Sequence, residues 1–183
     1  MNQNKIILGI DPGTVILGYG LIDTGNNKPV LMHMGVQRLA KFRDPFIRLG
    51  MIYERISSII EEYKPHEVAI EAPFYGKNIQ SMLKLGRAQG VALAAAITGG
   101  LPVFEYAPRK VKQSITGNGN ASKEQVAMMV QQILRFRETS EFLDATDAVA
   151  VAICHYYQHN MNTDKQTVKS WEEFIRKNPG RIH

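Results

Sequence analysis

Lys5 to Asp23, KIILGIDPGTVILGYGLID, constrains the fold more than any other stretch of the chain. Ile6, Ile7, Leu8 and Ile10 form a nearly unbroken apolar run, the pattern of a strand covered on both faces. Asp11 stands at its end, and Pro12-Gly13-Thr14 follow at once. Pro12 fixes its own φ, and Gly13 can supply a turn with φ > 0. Val15, Ile16 and Leu17 then open a return strand through Gly18-Tyr19-Gly20. A lone carboxylate at the end of a buried strand is costly to ionise unless something pairs with it. A divalent metal ion would do so. Hydrogen bonding to turn amides beside Pro12 is the simpler alternative.

A chain of 183 residues with 44% apolar and 21% charged side chains is long enough for one domain with a full core. Its apolar runs are too short to predict a membrane span. The opening MNQNK has no apolar signal-peptide core, and the single cysteine, Cys154, excludes an internal disulfide. A cytoplasmic protein is therefore expected. The net charge of +5 permits a polyanionic partner without requiring one.

The remaining pattern reads in order. Thr24-Gly25-Asn26-Asn27 is a turn, and Pro29 to Val36 a third strand, so the chain opens as an antiparallel meander. Asp44-Pro45 has the form of an N-cap followed by proline at the first helical position. The helix it starts is predicted to reach Tyr63, with Phe46, Leu49, Ile52, Ile56, Ile59 and Ile60 on its apolar face. Glu67 to Glu71 is a short strand, parallel to the first because a helix joins them. A helix from Ile79 to Ile97, a strand from Pro102 to Tyr106 and a short helix from Pro108 to Ile115 follow. Ser122 to Gln125 is a capping box that opens a helix to about Phe136. A last core helix starts near Asp144 and continues past His155. The order predicts an α/β fold with a mixed five-stranded sheet, three strands antiparallel and two parallel, and helices on both faces. Residues 1–160 are read as the domain and residues 161–183 as a polar, basic, flexible tail. Trp171, Phe174 and Ile175 would give that tail a short amphipathic helix.

Glu71 ends its strand as Asp11 ends the first. If the two are parallel neighbours, both carboxylates leave at the sheet edge where α/β sheets hold ligands. Asp144 and Asp147 lie in DATDAVAVAICH, and their spacing puts both on one face at a helix start. The rest of that helix is apolar and must pack on the sheet, which would bring the pair against Asp11 and Glu71. Taken singly, the two aspartates also read as helix N-terminal charges and Glu71 as a strand-end surface residue. Together, four carboxylates without cations would raise one another's pKa. Two magnesium ions match their charge, prefer oxygen ligands and suit in-line displacement at phosphorus.

Four blocks in this order, GIDPGTVILGYG, AIEAPFYGKNIQSMLKLGRAQGV, YAPRKVKQSITGNGNASKEQV and DATDAVAVAICH, resemble the RuvC family of bacterial Holliday junction resolvases. The resemblance runs from about Ile6 to His159. It implies a ribonuclease H-like fold, a homodimer, and magnesium-dependent paired nicking of four-way DNA junctions in recombination and repair, with manganese as a substitute ion. It also implies partnership with the branch-migration motor of RuvA and RuvB. By motif, the metal-holding catalytic carboxylates would be Asp11, Glu71, Asp144 and Asp147. Lys112 and Lys123 match basic positions that serve the scissile phosphate, and Phe74 an aromatic near the junction crossover. The family often has Gln after the strand-ending Glu, where this chain has Ala72 and Pro73.

Arg87, Arg109, Lys110, Lys112 and Lys123 lie in the same blocks and read together as phosphate contacts. Phe74 and Tyr75 would serve as stacking groups if exposed beside DNA. Along the helix from Ile79, Met82, Gly86 and Gly90 mark the expected dimer seam, since small residues at four-residue spacing allow close approach. His155, three turns beyond Asp144, is too far along the helix for the acidic cluster and is read as structural. His33, His66, His159 and His183 are read as forming no ligand spacing. Two other functions compete. An ATP-dependent phosphotransferase of the actin and sugar-kinase superfold would also use Asp11-Pro12-Gly13, but needs a second phosphate loop. A non-catalytic DNA-binding relative would not need the full acidic set.

Overall fold

The computed structural model describes residues 5–25, 28–73, 78–136 and 143–164, with side chains described to residue 159. Phe74, Tyr75 and the tail from residue 165 lie outside them. Three strands open the chain, β1 (Ile6–Asp11), β2 (Ile16–Asp23) and β3 (Val30–Arg38). Helix α1 (Pro45–Tyr63), strand β4 (Glu67–Glu71), helix α2 (Ile79–Thr98) and strand β5 (Val103–Tyr106) follow. Helices α3 (Pro108–Thr116), α4 (Lys123–Leu134) and α5 (Leu143–Asp164) complete the described chain. The sheet order is β3-β2-β1-β4-β5. The β1–β2 and β2–β3 pairs are antiparallel, and β1–β4 and β4–β5 are parallel. This mixed sheet with helices on both faces is the ribonuclease H-like arrangement.

The expected caps are present. The Asp44 carboxylate accepts from the Phe46 amide at 2.8 Å, with Pro45 behind it. Ser122 and Gln125 bond each other's backbone amides as a capping box. Gly13 does not use the freedom of φ > 0 that its type allows. Among the described residues, only Gly100 and Gly117 are glycines with positive φ. Gly13 instead serves a close approach, because a Cβ there would fall 2.0 Å from the Ile16 carbonyl oxygen.

Strand parity divides the core in two. Leu8, Ile10, Leu17, Leu21, Val68 and Ile70 pack against α1 and α2 on one face. Ile7, Ile22 and Ala69 face α3, α4 and α5 on the other. Successive side chains of a strand alternate faces. Gly9 and Asp11 therefore share the face of Ile7, and Glu67 and Glu71 share the face of Ala69. Helix α5 lies across this face, and glycines let it come close. A Cβ on Gly9 would sit 2.0 Å from the Ala148 carbonyl oxygen, and one on Gly20 would sit 2.3 Å from the Val149 side chain. Gly9 and Gly20 pair directly across β1 and β2, so the two form one depression in the sheet. The middle of α5, from Ala148 to Cys154, is buried in it. None of the described helices is long and apolar enough to cross a membrane.

Candidate active site at the sheet edge

β1 and β4 are parallel, with Ile10 opposite Ile70, so both strands deliver their last residue to the same edge. Those residues are Asp11 and Glu71, and by parity both are on the α5 side. The N-terminal turn of α5 brings Asp144 and Asp147 to the same edge. Asp11 and Glu71 line a cleft of about 290 Å³ with Asp147, Lys112 and Lys123. Val111 and Pro108 of α3, Val126 of α4 and Ala150 of α5 form its apolar walls. Asp144 stands at the rim, more exposed than Asp147.

One ammonium group ties the acids together. Lys123 Nζ is 2.7 Å from Asp147 Oδ2 and 3.6 Å from Asp144 Oδ1. The two aspartates hold the Lys123 amine above its ordinary pKa, although burial pulls the other way. A single lysine does not neutralise the group. Burial, then repulsion from Asp147 and Asp144, pushes Asp11 up to about 6. Burial, then repulsion from Asp11 and Asp147, pushes Glu71 up to about 8. Asp147 is also raised, chiefly by burial, against the pull of Lys123. A buried set of carboxylates that resist ionising beside one another is deficient in positive charge. Its donors are all oxygens, the ligand set that hard divalent ions such as magnesium prefer. The residues present therefore fit magnesium.

Lys112 projects from α3 and is anchored by donating to the Ala121 carbonyl at 2.8 Å. That bond ties α3 to the connection before α4 and keeps the amine at the cleft. The other cations expected at the site are placed elsewhere. Arg109 and Lys110 are exposed on α3. Arg109 packs over Gly119, where a Cβ would meet its Cγ at 2.6 Å. Arg87 lines a second groove of about 400 Å³ with Lys84, Arg43, Arg48 and Phe46. Arg48 is fixed there by donating to the carbonyls of Phe42 and Thr14, at 2.6 and 3.2 Å. Arg43, Arg48 and Lys84, which the sequence pattern did not single out, share that groove with Arg87 because distant segments meet there.

On α2, Met82 is half-buried, whereas Gly86 and Gly90 are exposed. A Cβ at either glycine would meet nothing within 4 Å, so neither packs on this protein's own sheet. Ile79, Leu83 and Ile97 continue the exposed face at 70%, 60% and 64% exposure.

The histidines differ from the sequence reading in one respect. His155 is fully buried and bonded to Tyr106 and Glu67, as a structural residue would be. His159, however, lies one turn further on the same face and joins His155 and Glu67 in a group of three metal-ligand side chains. The four-residue spacing was visible in the chain. Its partner Glu67, 88 residues from His155, was not.

Fold and cleft together define the class: a ribonuclease H-like protein with an acidic centre at the carboxyl ends of its parallel strands. The family model of crossover junction endodeoxyribonuclease RuvC matches residues 7–155. The crossover junction endodeoxyribonuclease RuvC of Cytophaga hutchinsonii is 56% identical over 98% of this chain and 88% of its own. That of Porphyromonas gingivalis is 51% identical over 98% of each chain. The solved structure of Thermus thermophilus RuvC in complex with a Holliday junction substrate is 35% identical, with a TM-score of 0.79, covering 87% of this chain and 97% of that one. The chain belongs to the RuvC family.

Proposed function

We propose that this protein resolves four-way DNA junctions by hydrolysing one phosphodiester bond in each of two opposed strands. The observation that carries this reading is the convergence of Asp11, Glu71, Asp144 and Asp147 with Lys112 and Lys123 on one cleft edge. Asp11, Glu71, Asp144 and Asp147 would hold magnesium, or manganese in its place. Bound there, the ions supply Lewis acidity, which activates water and offsets charge on the phosphate and the departing 3′ oxygen. Lys112, held by the Ala121 carbonyl, would balance charge on the scissile phosphate. Lys123 offsets part of the charge of Asp144 and Asp147 and would be the second cation within reach of the phosphate. Among the described residues that line the cleft there is no Ser or Cys, and direct attack by water would account for the hydrolysis.

Duplex arms extend well beyond one cleft. Arg109 and Lys110 on α3, and Arg87 with Lys84, Arg43 and Arg48 in the second groove, would contact their phosphates. Phe74 is assigned a stacking contact at the crossover on the resemblance alone. The exposed face of α2, with Met82, Gly86 and Gly90, is the proposed seam of a homodimer. A two-fold dimer carries two matched sites, as a two-fold junction requires. The family resemblance adds the RuvA and RuvB motor as partners and a cytoplasmic location.

The test is to incubate the protein and magnesium with a synthetic four-way junction or a linear duplex of the same sequence. Nicks on the junction alone support the reading. Equal cutting of both substrates, or of neither, contradicts it.

A further inference from the structure

The face of the sheet that carries the acidic cleft has a second cluster at its other end. Glu67 and Glu71 are the first and last residues of β4, and both are on the α5 side. At about 3.3 Å per residue they stand roughly 13 Å apart. Helix α5 runs over both. Asp147 reaches Glu71's end, and His155 and His159 reach Glu67's end.

The second cluster has different chemistry. His155 Nε2 is 2.9 Å from Glu67 Oε2, and the ligand atoms of Glu67, His155 and His159 all lie within 4.8 Å of one another. A metal ion bound at about 2.1 Å to each would bring such atoms to about 3.4 Å in a tetrahedral site. The hydrogen-bonded Glu67–His155 pair would open by about half an ångström to admit the ion, and His159, exposed at the surface, would close in. The supporting contacts resemble those around metal-bound ligands. Tyr106 Oη is 2.7 Å from His155 Nδ1, which fixes the ring's orientation. Lys5 bonds Glu67 through Oε1, leaving Oε2 toward the histidines. The ring of Phe104 lies tilted against His155 and edge-on to His159, with centroids 4.5 and 5.2 Å away, and walls the cluster on one side.

We infer that Glu67, His155 and His159 form a second metal site, for a borderline ion of the zinc class. Two imidazole nitrogens and one carboxylate suit zinc and disfavour magnesium, so the two ends of the face sort ions by ligand type. Three protein ligands leave a fourth position open to water. Binding exchanges the His155 tautomer. Without metal, Nε2–H donates to Glu67 and Tyr106 donates to Nδ1. With metal, Nε2 ligates and the ring proton resides on Nδ1, donating to the Tyr106 oxygen. The ion would clip the far part of α5 to β4, and thereby stiffen the helix that also positions Asp144 and Asp147.

The test titrates metal-free full-length protein with zinc, and with cobalt as a spectroscopic probe, in excess magnesium. Three proteins are compared: wild type, Asp11→Asn and His159→Ala. His159 is exposed, so its replacement leaves the buried His155–Glu67 bond in place. Wild type and Asp11→Asn should bind one equivalent with the visible absorption of a tetrahedral, nitrogen-ligated cobalt ion. His159→Ala should bind at least about tenfold more weakly. Zinc should also shift the imidazole resonances of His155 and His159 together. Equal binding by His159→Ala, or loss of the signal in Asp11→Asn, would overturn the assignment and return the ion to the acidic cleft.

Discussion

Gly18 and Asp144 meet backbone to backbone: a Cβ on Gly18 would fall 2.3 Å from the Asp144 carbonyl oxygen. Gly18 is also the register partner of Asp11 across β1 and β2. One glycine thus holds two of the four carboxylates at their separation. Gly18→Ala must push the first turn of α5 outward, because the atom in the way is backbone. Overpacking of this kind costs about 1–3 kcal/mol. The predicted result is a folded protein with a lowered melting temperature and a nicking rate reduced far more than its junction binding. A wild-type rate would mean that the spacing does not matter.

Asp11→Asn removes a buried carboxylate, and with it a proposed metal ligand, from the cleft. It should abolish nicking and leave junction affinity nearly intact, if affinity rests on the lysines and arginines as proposed. In the absence of metal it should also stabilise the protein above pH 6, because a repelled buried charge is gone. Nicking at near the wild-type rate would remove Asp11 from the metal set.

The raised carboxylates predict a pH dependence with a definite sign. Asp11 rises from 3.8 to about 6 and Glu71 from 4.5 to about 8. The folded protein therefore holds more protons than the unfolded chain between these values. Their contribution to stability is fully present below about pH 4 and is lost as pH rises through 6 and then 8. Because the acids interact, the steps belong to the cluster rather than to single residues. In chelator, this contribution to the melting temperature should fall across that range. Magnesium should offset the fall, and its uptake at pH 7 should release protons measurable in weakly buffered solution. Metal binding with no proton release would contradict the raised values.

The sequence-level reading and the structure agree where local rules dominate. The caps at Asp44 and Ser122, the strand-ending positions of Asp11 and Glu71, and the Asp144–Asp147 spacing each follow from a few adjacent residues. What stayed hidden depends on distant chain segments meeting. Gly9, Gly18 and Gly20 were legible only as members of a strand, since the helix that needs their missing side chains lies more than a hundred residues on. For Gly13 the residue type showed only that a positive φ was possible, whereas the Ile16 carbonyl is what excludes a side chain there. His159 was passed over because its carboxylate partner is on β4.

The two lysines should separate. Lys112→Ala is predicted to slow the single-turnover rate more than it weakens binding, because Lys112 is held at the cleft by one backbone carbonyl. Lys123→Ala removes the cation that now lowers Asp11 and Glu71, so both should titrate higher still. Its pH–rate profile should shift to higher pH, while that of Lys112→Ala shifts less. Identical profiles for both variants would contradict the distinct positions of the two amines.

A bulky residue at Gly90 tests the seam cleanly. A side chain there meets nothing within 4 Å in the subunit itself, so Gly90→Leu should leave the monomer's melting behaviour nearly unchanged. Sedimentation should show a wild-type dimer and a weakened dimer for the variant, with nicks on opposed strands losing their coupling. An unaltered dimer would place the seam elsewhere.

The most direct measurement maps both cut positions on one synthetic four-way junction, with the two opposed strands labelled separately, in magnesium. The account predicts nicks at symmetry-related positions on both strands, giving ligatable duplexes, and none on linear duplex. Cuts at unrelated positions, or cutting that persists in Asp11→Asn, would contradict it.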